Sequence, residues 1–170
     1  VGAKLYLFIA SPGSLTPFHI DRYSTILMQF RGSKEVGVFP QWDARVMSAA
    51  EREGFVAQSG QRPEWRPEAE PLASRFHFNP GDALHIPFVA GHYVRNGADD
   101  VSISMSIIFN TDETMAQTRA MLLNHRLRQR LKPFGLGPRP VGEEPLRDAM
   151  KAGLWGLGAK VARSLGRGGD

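Results

Sequence analysis

The chain has 170 residues, 42% of them hydrophobic and 22% charged, which is typical of a globular protein large enough for one well-packed domain. It contains no cysteine, which excludes disulfides and thiolate metal sites, so any metal must be bound by His, Asp or Glu. No apolar run reaches the roughly 18 residues of a membrane span, and no signal peptide is visible. These features predict a cytoplasmic protein without a membrane partner. A strand-like pattern is already under way at Val1, so we expect that an N-terminal part of a longer protein is missing.

The first two-thirds of the chain alternates short apolar runs with turn residues, a pattern typical of a β-barrel or sandwich. Strands are predicted over residues 4–10, 16–21, 25–30, 34–39, 75–78, 83–86, 92–95 and 101–109. Residues 47–53 are predicted to form one or two helical turns. Residues 54–72 are rich in Pro, Gln, Glu and Arg without periodicity, and they are predicted to form a long loop that could act as a lid.

Beyond Asn110 the pattern becomes helical. Thr111 is a suitable N-cap, and a helix is predicted from there to about residue 131. A linker rich in Pro and Gly leads to a second amphipathic helix over residues 144–165, and residues 167–170 are expected to fray.

These patterns divide the chain into a mainly β domain over residues 1–110 and a helical extension over residues 111–170. The first holds ten Lys or Arg and eleven Asp or Glu, whereas the second holds eleven and six. The basic extension could meet an acidic partner, nucleic acid or a membrane surface, but we favour a solvated helical face. A further hypothesis is that the two C-terminal helices form the interface of a homodimer.

The segment around His19 and Asp21 carries the first candidate metal ligands. Residues i and i+2 of a strand point to the same face, so this pair would present an imidazole and a carboxylate side by side. One histidine from another strand would complete a 2-His-1-carboxylate triad, which leaves iron(II) positions open for a co-substrate and O₂. A single His-x-Asp is more often structural, so the third ligand decides between the two interpretations.

The third ligand lies in a segment that resembles the second cupin motif. In that motif a Gly is followed by five residues and a Pro, then by four residues and a metal-binding His, and then by three residues and an Asn. Gly81, Pro87, His92 and Asn96 fall in this register. The usual Gly two residues after the Pro is Val89 in this sequence. The resemblance therefore indicates His92 as the third ligand.

Lys34 opens a predicted strand in which Val36 and Val38 share its face. If these valines point inward, so does Lys34, and a buried ammonium group is costly unless it is paired. Either Lys34 reaches water at the end of the hairpin, or a dianionic co-substrate supplies the missing carboxylate, helped by the Thr16 hydroxyl. On the last predicted strand Ser104 is the best candidate for a pocket residue, although a polar stripe on a half-exposed strand explains it equally well.

Three motifs of the chain resemble the JmjC / cupin-8 family of oxygenases, most closely its asparaginyl-hydroxylase-like members: Thr16-Pro17-x-His19-x-Asp21, Gln29-x-x-Gly32-x-Lys34, and Gly81-Asp82 followed by Pro87 and His92. The resemblance implies a double-stranded β-helix, that is, a cupin or jelly-roll barrel. It also implies an Fe(II)- and 2-oxoglutarate-dependent dioxygenase that hydroxylates or demethylates a substrate and releases succinate and CO₂. The implied iron ligands are His19, Asp21 and His92.

The co-substrate 2-oxoglutarate would be bound by Thr16 and Lys34, with Ser104 as a further lining residue, and no catalytic residue is predicted beyond the metal centre. Two other functions stay open at this point. One is a metal-binding cupin that does not use 2-oxoglutarate, and the other is a non-catalytic JmjC-like module that binds protein or nucleic acid. The substrate could be a protein side chain, a small molecule or an RNA base.

Overall fold

The computed structural model of the chain describes residues 2–60 and 62–164, which form two compact units. The first is a β unit built from residues 2–48 together with residues 62–111. The second is a helical unit built from residues 49–60 and 112–164.

In the described part of the β unit, eight strands form two antiparallel four-stranded sheets. The strands are β1 (Lys4–Ala10), β2 (Leu15–His19), β3 (Ser24–Arg31), β4 (Lys34–Val38), β5 (Ser74–Phe78), β6 (Ala83–Ile86), β7 (His92–Asn96) and β8 (Ser102–Phe109). The order is β1-β8-β3-β6 in the first sheet and β2-β7-β4-β5 in the second, so the chain alternates between sheets from β1 to β4. This is the winding of a jelly-roll fold, in which two sheets face each other.

The turn between β3 and β4 depends on Gly32, although these two strands lie in different sheets and so do not form a hairpin. Its φ is +67°, and a Cβ atom at this position would lie 2.7 Å from the carbonyl oxygen of Val101. Both observations require glycine, which tolerates left-handed backbone and close approach. The turn fixes Lys34 as the first residue of β4.

The space between the two sheets is partly apolar and partly polar. A cluster of buried apolar side chains fills one part of it: Leu27, Val36, Phe78, Ile86 and Ala90. On β8, by contrast, the buried face carries three serines, Ser102, Ser104 and Ser106. A row of buried hydroxyl groups in place of apolar side chains indicates that this face lines a cavity rather than a packed core.

The described helices of the second unit are α1 (Ala49–Val56), α2 (Asp112–Leu131) and α3 (Pro145–Ser164). α2 and α3 are neighbours, since the guanidinium group of Arg126 lies 4.3 Å from the centre of the Trp155 ring. The buried carboxylate of Glu53 forms an ion pair of 2.9 Å with Arg128 and accepts a hydrogen bond of 2.8 Å from the Asn124 amide. None of the helices in the described residues is both long enough and apolar enough to cross a membrane.

The prediction of an unbroken loop over residues 54–72 is wrong in two places. α1 continues to Val56, and a 3₁₀-helix spans Pro67–Leu72. Pro67 suits the first turn of such a helix, where no backbone N–H is needed, and Ala69 is buried. The helical turns predicted over residues 47–53 correspond to the first part of α1, whereas the 3₁₀-helix contains too few residues to show a hydrophobic period, so the sequence pattern did not reveal it. Residues 165–170, which include the expected frayed tail, lie outside the described residues.

Candidate metal centre

His19 and His92 face each other across the ladder between β2 and β7. Their ring centroids lie 4.1 Å apart. Asp21 follows two residues after His19, and its Oδ2 lies 3.7 Å from Nε2 of His92. One ligand atom from each of the three side chains lies within 4.8 Å of the other two. The structure therefore brings together the three residues that the sequence indicated as metal ligands.

Both imidazole rings are oriented by backbone carbonyl groups. Nδ1 of His19 lies 2.8 Å from the carbonyl oxygen of Pro17, and Nδ1 of His92 lies 3.0 Å from that of Ala90. Since a carbonyl oxygen can only accept, Nδ1 of each ring donates its proton and Nε2 keeps its lone pair. Metal-binding histidines are oriented by partners of this kind. Both rings are thus in the tautomer that binds a metal through Nε2.

Burial shifts the pKa of two candidate ligands, His92 and Asp21. Burial, aided by the nearby His19, lowers the pKa of His92 to about 4, so its imidazole is neutral at neutral pH. Burial also raises the pKa of the Asp21 carboxyl group, while His19 and the Tyr23 hydroxyl act in the opposite direction. Metal binding needs a neutral imidazole and an ionised carboxylate, and a cation here would stabilise the carboxylate against its desolvation.

Two imidazole nitrogens and one carboxylate oxygen make a donor set that fits a divalent transition metal. The set is the 2-His-1-carboxylate combination of non-haem iron(II) sites, and Mn(II), Co(II) and Zn(II) accept the same donors. Three protein ligands leave metal positions open for other molecules. The residues present therefore fit a resident metal ion.

A cavity of about 530 Å³ within the β unit is lined by the three candidate ligands. Thr16, Lys34 and Ser104, which the sequence assigned to the co-substrate, line the same cavity. Tyr6 and Phe8 of β1 add an aromatic wall. The volume lies in the range of small-molecule sites.

Lys34 is buried beneath this cavity surface, with 6% of its area exposed, and so it does not reach out to water as a surface lysine does. Its Nζ donates a hydrogen bond of 2.8 Å to Oγ of Ser104. Desolvation lowers the pKa of the Lys34 ammonium group to about 8. Within residues 2–60 and 62–164 no carboxylate forms an ion pair with this amine. A buried ammonium group without a carboxylate partner is a site suited to an anion.

The family model of the cupin-like domain, Cupin_8, matches residues 2–115, which is more than half of the chain. The chain belongs to the cupin-like domain family. The predicted fold, a mainly β cupin or jelly-roll barrel followed by C-terminal helices, is thereby confirmed.

Several solved structures are distantly similar to this cupin-like domain. The Drosophila melanogaster CENP-C cupin domain is 14% identical, with 62% of this chain and 59% of that chain covered and a TM-score of 0.41. The Bacillus halodurans protein BH2720 is 15% identical, with 65% and 64% covered and a TM-score of 0.44. An oxalate decarboxylase is 19% identical, with 79% and 29% covered and a TM-score of 0.44. The chain thus spans less than two thirds of the length of these proteins, and no curated protein matches it. Similarities this distant do not indicate a function.

Val89 stands in this cupin-like domain where the second cupin motif usually has glycine. Its φ is +51°, a left-handed conformation that costs an L-residue roughly 1–2 kcal/mol. The residue is fully buried, and its N–H donates a hydrogen bond of 3.1 Å to the carbonyl oxygen of Asp21. The strained turn before His92 is therefore hydrogen-bonded to the backbone of Asp21. This bond helps to fix the positions of Asp21 and His92 relative to each other.

Tyr23 is a residue of the site that the sequence analysis missed. Its hydroxyl donates a hydrogen bond to the Asp21 carboxylate, and its ring lines the cavity. β2 ends at His19, so Asp21 and Tyr23 lie beyond the strand, and its alternation gave no signal for this contact. A partner of this kind restricts the rotation of a carboxylate ligand.

We expect the substitution Tyr23→Phe to weaken divalent metal binding by about tenfold, because hydrogen-bond partners of metal ligands typically contribute 10- to 100-fold to affinity. Isothermal titration of the full chain with Mn(II) measures the change. Tyr6→Phe is the matched control, since it removes a hydroxyl group from the same cavity. Equal affinities for both variants and the native chain would show that the Tyr23 hydroxyl does not position Asp21.

Proposed function

We propose that this cupin-like domain is an Fe(II)- and 2-oxoglutarate-dependent oxygenase of the JmjC type, which hydroxylates or demethylates its substrate. One observation carries the proposal: the cavity that holds a His, Asp and His cluster also holds a buried lysine without a carboxylate partner among the described residues. A metal-binding cupin needs the cluster alone. The lysine gives a reason for a second, anionic occupant of the same cavity.

His19, Asp21 and His92 would hold the metal. When bound, Fe(II) would supply the redox chemistry that couples the reduction of O₂ to the oxidative decarboxylation of 2-oxoglutarate and to the oxidation of a C–H bond. In the balanced reaction, substrate C–H, 2-oxoglutarate and O₂ give substrate C–OH, succinate and CO₂. Hydroxylation of a carbon attached to nitrogen would lead to demethylation.

Lys34 would bind the carboxylate of 2-oxoglutarate that is remote from the oxo-acid end. A charge-assisted hydrogen bond from an ammonium group is about twice as strong as a neutral one. Ser104 accepts a hydrogen bond from the amine and so holds it towards the cavity. Thr16 lines the same cavity and would add a hydroxyl donor to the carboxylate.

The rest of the cavity would orient the substrate and limit access of water. Tyr6 and Phe8 have neighbouring rings, 6.4 Å apart, on the cavity side of β1. Apolar walls of this kind position a substrate by contact area, and they lower the local dielectric around the metal ligands.

The test is the formation of succinate by the full chain with Fe(II), ascorbate, 2-oxoglutarate and O₂. We expect slow succinate formation without added substrate, none with His92→Ala and none with Lys34→Ala. A folded, metal-loaded protein that forms no succinate and does not bind 2-oxoglutarate would indicate a metal-binding cupin of another activity. A folded protein that binds no metal would indicate a non-catalytic module.

The affinity for 2-oxoglutarate is expected to fall as the pH rises above about 8, because the pKa of Lys34 in the free protein is about 8 and the neutral amine must regain a proton before it can pair with a carboxylate. The loss approaches about tenfold per pH unit once the amine is mostly neutral. Calorimetric titration of the Mn(II)-loaded protein with 2-oxoglutarate between pH 7 and about 9 measures this loss of affinity. Lys34→Arg is the control. Because a guanidinium group stays charged, the affinity of this variant for 2-oxoglutarate should not vary between pH 7 and about 9. A native affinity that is constant with pH would exclude Lys34 as the carboxylate partner.

A further inference from the structure

A second cavity, of about 640 Å³, lies on the outer face of the sheet β2-β7-β4-β5. Residues of a strand alternate between the two faces of its sheet. On β7, His92 and Val94 line the cavity of the candidate metal centre, which we call the metal cavity. Tyr93 and Arg95, which alternate with them, line the second cavity, which we call the outer cavity. The sheet therefore separates the two cavities, and no described residue lines both.

The walls of the outer cavity are apolar and largely aromatic, and six lining residues form them: Leu15, Pro17, Phe18, Trp65, Pro67 and Tyr93. The rings of Phe18 and Trp65 lie 5.3 Å apart. The ring of Tyr93 packs against the backbone of Gly37, where a Cβ atom would clash with it. Trp65 is nevertheless 41% exposed and Leu15 57% exposed. Exposed aromatic faces in a concave site suit a ligand with a planar ring.

Arg95 places a guanidinium group beside these rings. Its Cζ lies 5.0 Å from the centre of the Tyr93 ring, which is a cation–π distance, and 59% of its side chain is exposed. The carboxylate of its cross-strand partner Glu35 lies 3.7 Å away, which is too far for a hydrogen bond. Among residues 2–60 and 62–164 the side chain of Arg95 donates no hydrogen bond. The Tyr93 ring thus supports the guanidinium group and leaves its donors available.

The charges around the outer cavity favour an anion. Two arginines and one glutamate line it, namely Arg75, Arg95 and Glu70. Arg75 and Glu70 neutralise each other through an ion pair of 2.6 Å. The guanidinium group of Arg95 is therefore the charge that remains for a ligand. A guanidinium group is planar and binds a carboxylate through two parallel N–H···O bonds.

We propose that the outer cavity is a second ligand site, which binds a planar aromatic carboxylate. The ring of the ligand lies against Phe18 and Trp65, and its carboxylate pairs with Arg95. A cationic ligand would be repelled by Arg95, and an aliphatic anion such as 2-oxoglutarate lacks the ring that the aromatic walls receive. The proposal is independent of the oxygenase activity, because the outer cavity shares no described lining residue with the metal cavity.

The test is calorimetric titration of the full chain with 2-naphthoate and with 2-naphthamide, an uncharged molecule of nearly the same shape. We expect the native protein to bind 2-naphthoate at least about tenfold more tightly, because only the carboxylate forms charge-assisted hydrogen bonds with Arg95. Arg95→Gln should remove this difference by weakening the binding of 2-naphthoate alone. Arg31→Gln is the matched control, since Arg31 is a similarly exposed arginine that pairs with Asp100 outside the outer cavity. It should bind both probes as the native protein does.

Trp65→Ala tests the aromatic wall. We expect it to weaken the binding of both probes by roughly three- to tenfold, because each loses the same ring contact. Circular dichroism verifies that the fold is retained. If this variant does not fold, Trp65→Leu replaces it and should weaken both probes in the same way. Unchanged affinities in a folded variant would contradict the proposal.

Three further results would overturn the proposal. The first is a native chain that binds neither probe at millimolar concentration. The second is a loss of 2-naphthoate binding that is equal in Arg95→Gln and Arg31→Gln, or absent from both, which would show that Arg95 has no specific part in binding. The third is displacement of 2-naphthoate by 2-oxoglutarate from the Mn(II)-loaded protein, which would place the probe in the metal cavity.

Discussion

Lys34→Met is expected to make the protein more stable and at the same time unable to bind 2-oxoglutarate. The native amine is buried, and its pKa is lowered to about 8 by desolvation. Its ammonium form therefore disfavours folding at neutral pH. Methionine has a similar length and no charge, and it removes this cost.

The expected gain in the free energy of unfolding is about 1–2 kcal/mol, since part of the benefit is offset by the hydroxyl of Ser104, which loses its donor. The gain also has a defined pH dependence. The pKa of Lys34 lies near 8 in the folded state and near 10.5 in the unfolded state. The free-energy cost of burying the native ammonium group is complete below pH 8. It disappears as the pH rises towards 10.5, the pKa of lysine in the unfolded state, so the stability gained with methionine falls over that pH range.

Urea unfolding of both proteins without metal at several pH values measures this effect. Lys4→Met, at an exposed position of β1, is the control and should change little. A residue that destabilises the fold and is needed for a ligand has a functional role rather than a structural one. Loss of stability in Lys34→Met would instead show that the amine supports the fold, and the main argument for an anionic co-substrate would fail.

Asp21→Ala and His92→Ala are expected to reduce the affinity for divalent metal by at least about 100-fold each, because every ligand of a three-residue site contributes directly to binding. In the native protein, Mn(II) at about 100 times its dissociation constant should raise the free energy of unfolding by about 2.7 kcal/mol. Neither variant should gain stability from Mn(II).

Thermal unfolding with and without Mn(II), together with calorimetric titration, measures both effects. His85→Ala is the matched control, since this histidine is exposed on β6 and is not part of the cluster. It should bind Mn(II) as the native protein does. If the control and the two ligand variants respond to Mn(II) alike, the cluster is not the metal site.

The sequence predicted the strands well because each is a short apolar run between turn residues. β1 and β6 were predicted with the ends that the structure has, and the other strands differ by a few residues. The face of Lys34 followed from alternation with Val36 and Val38. Local patterns do not fix which strands pair, however. The placement of His92 opposite His19 came from the resemblance to the cupin motif rather than from physical reasoning about the sheet.

Other features of the site depend on tertiary contacts that the sequence does not display. The hydrogen bond from Tyr23 to Asp21 requires the turn after β2 to bring the phenol back towards the carboxylate. The left-handed conformation of Val89 is unexpected for a β-branched residue, and it persists because the residue is fully buried and bonded to the Asp21 carbonyl group. The 3₁₀-helix over Pro67–Leu72 was missed because helices of this length have no readable period.

The central claim is that one cavity holds a metal on His19, Asp21 and His92 and an anionic co-substrate on Lys34. Anaerobic absorption spectroscopy of the full chain with Fe(II) and 2-oxoglutarate tests it most directly, because chelation of Fe(II) by an oxo acid produces a charge-transfer band in the visible range. We expect this band in the native protein and its absence in both His92→Ala and Lys34→Ala. A folded native chain that shows no band at saturating Fe(II) and 2-oxoglutarate would contradict the account.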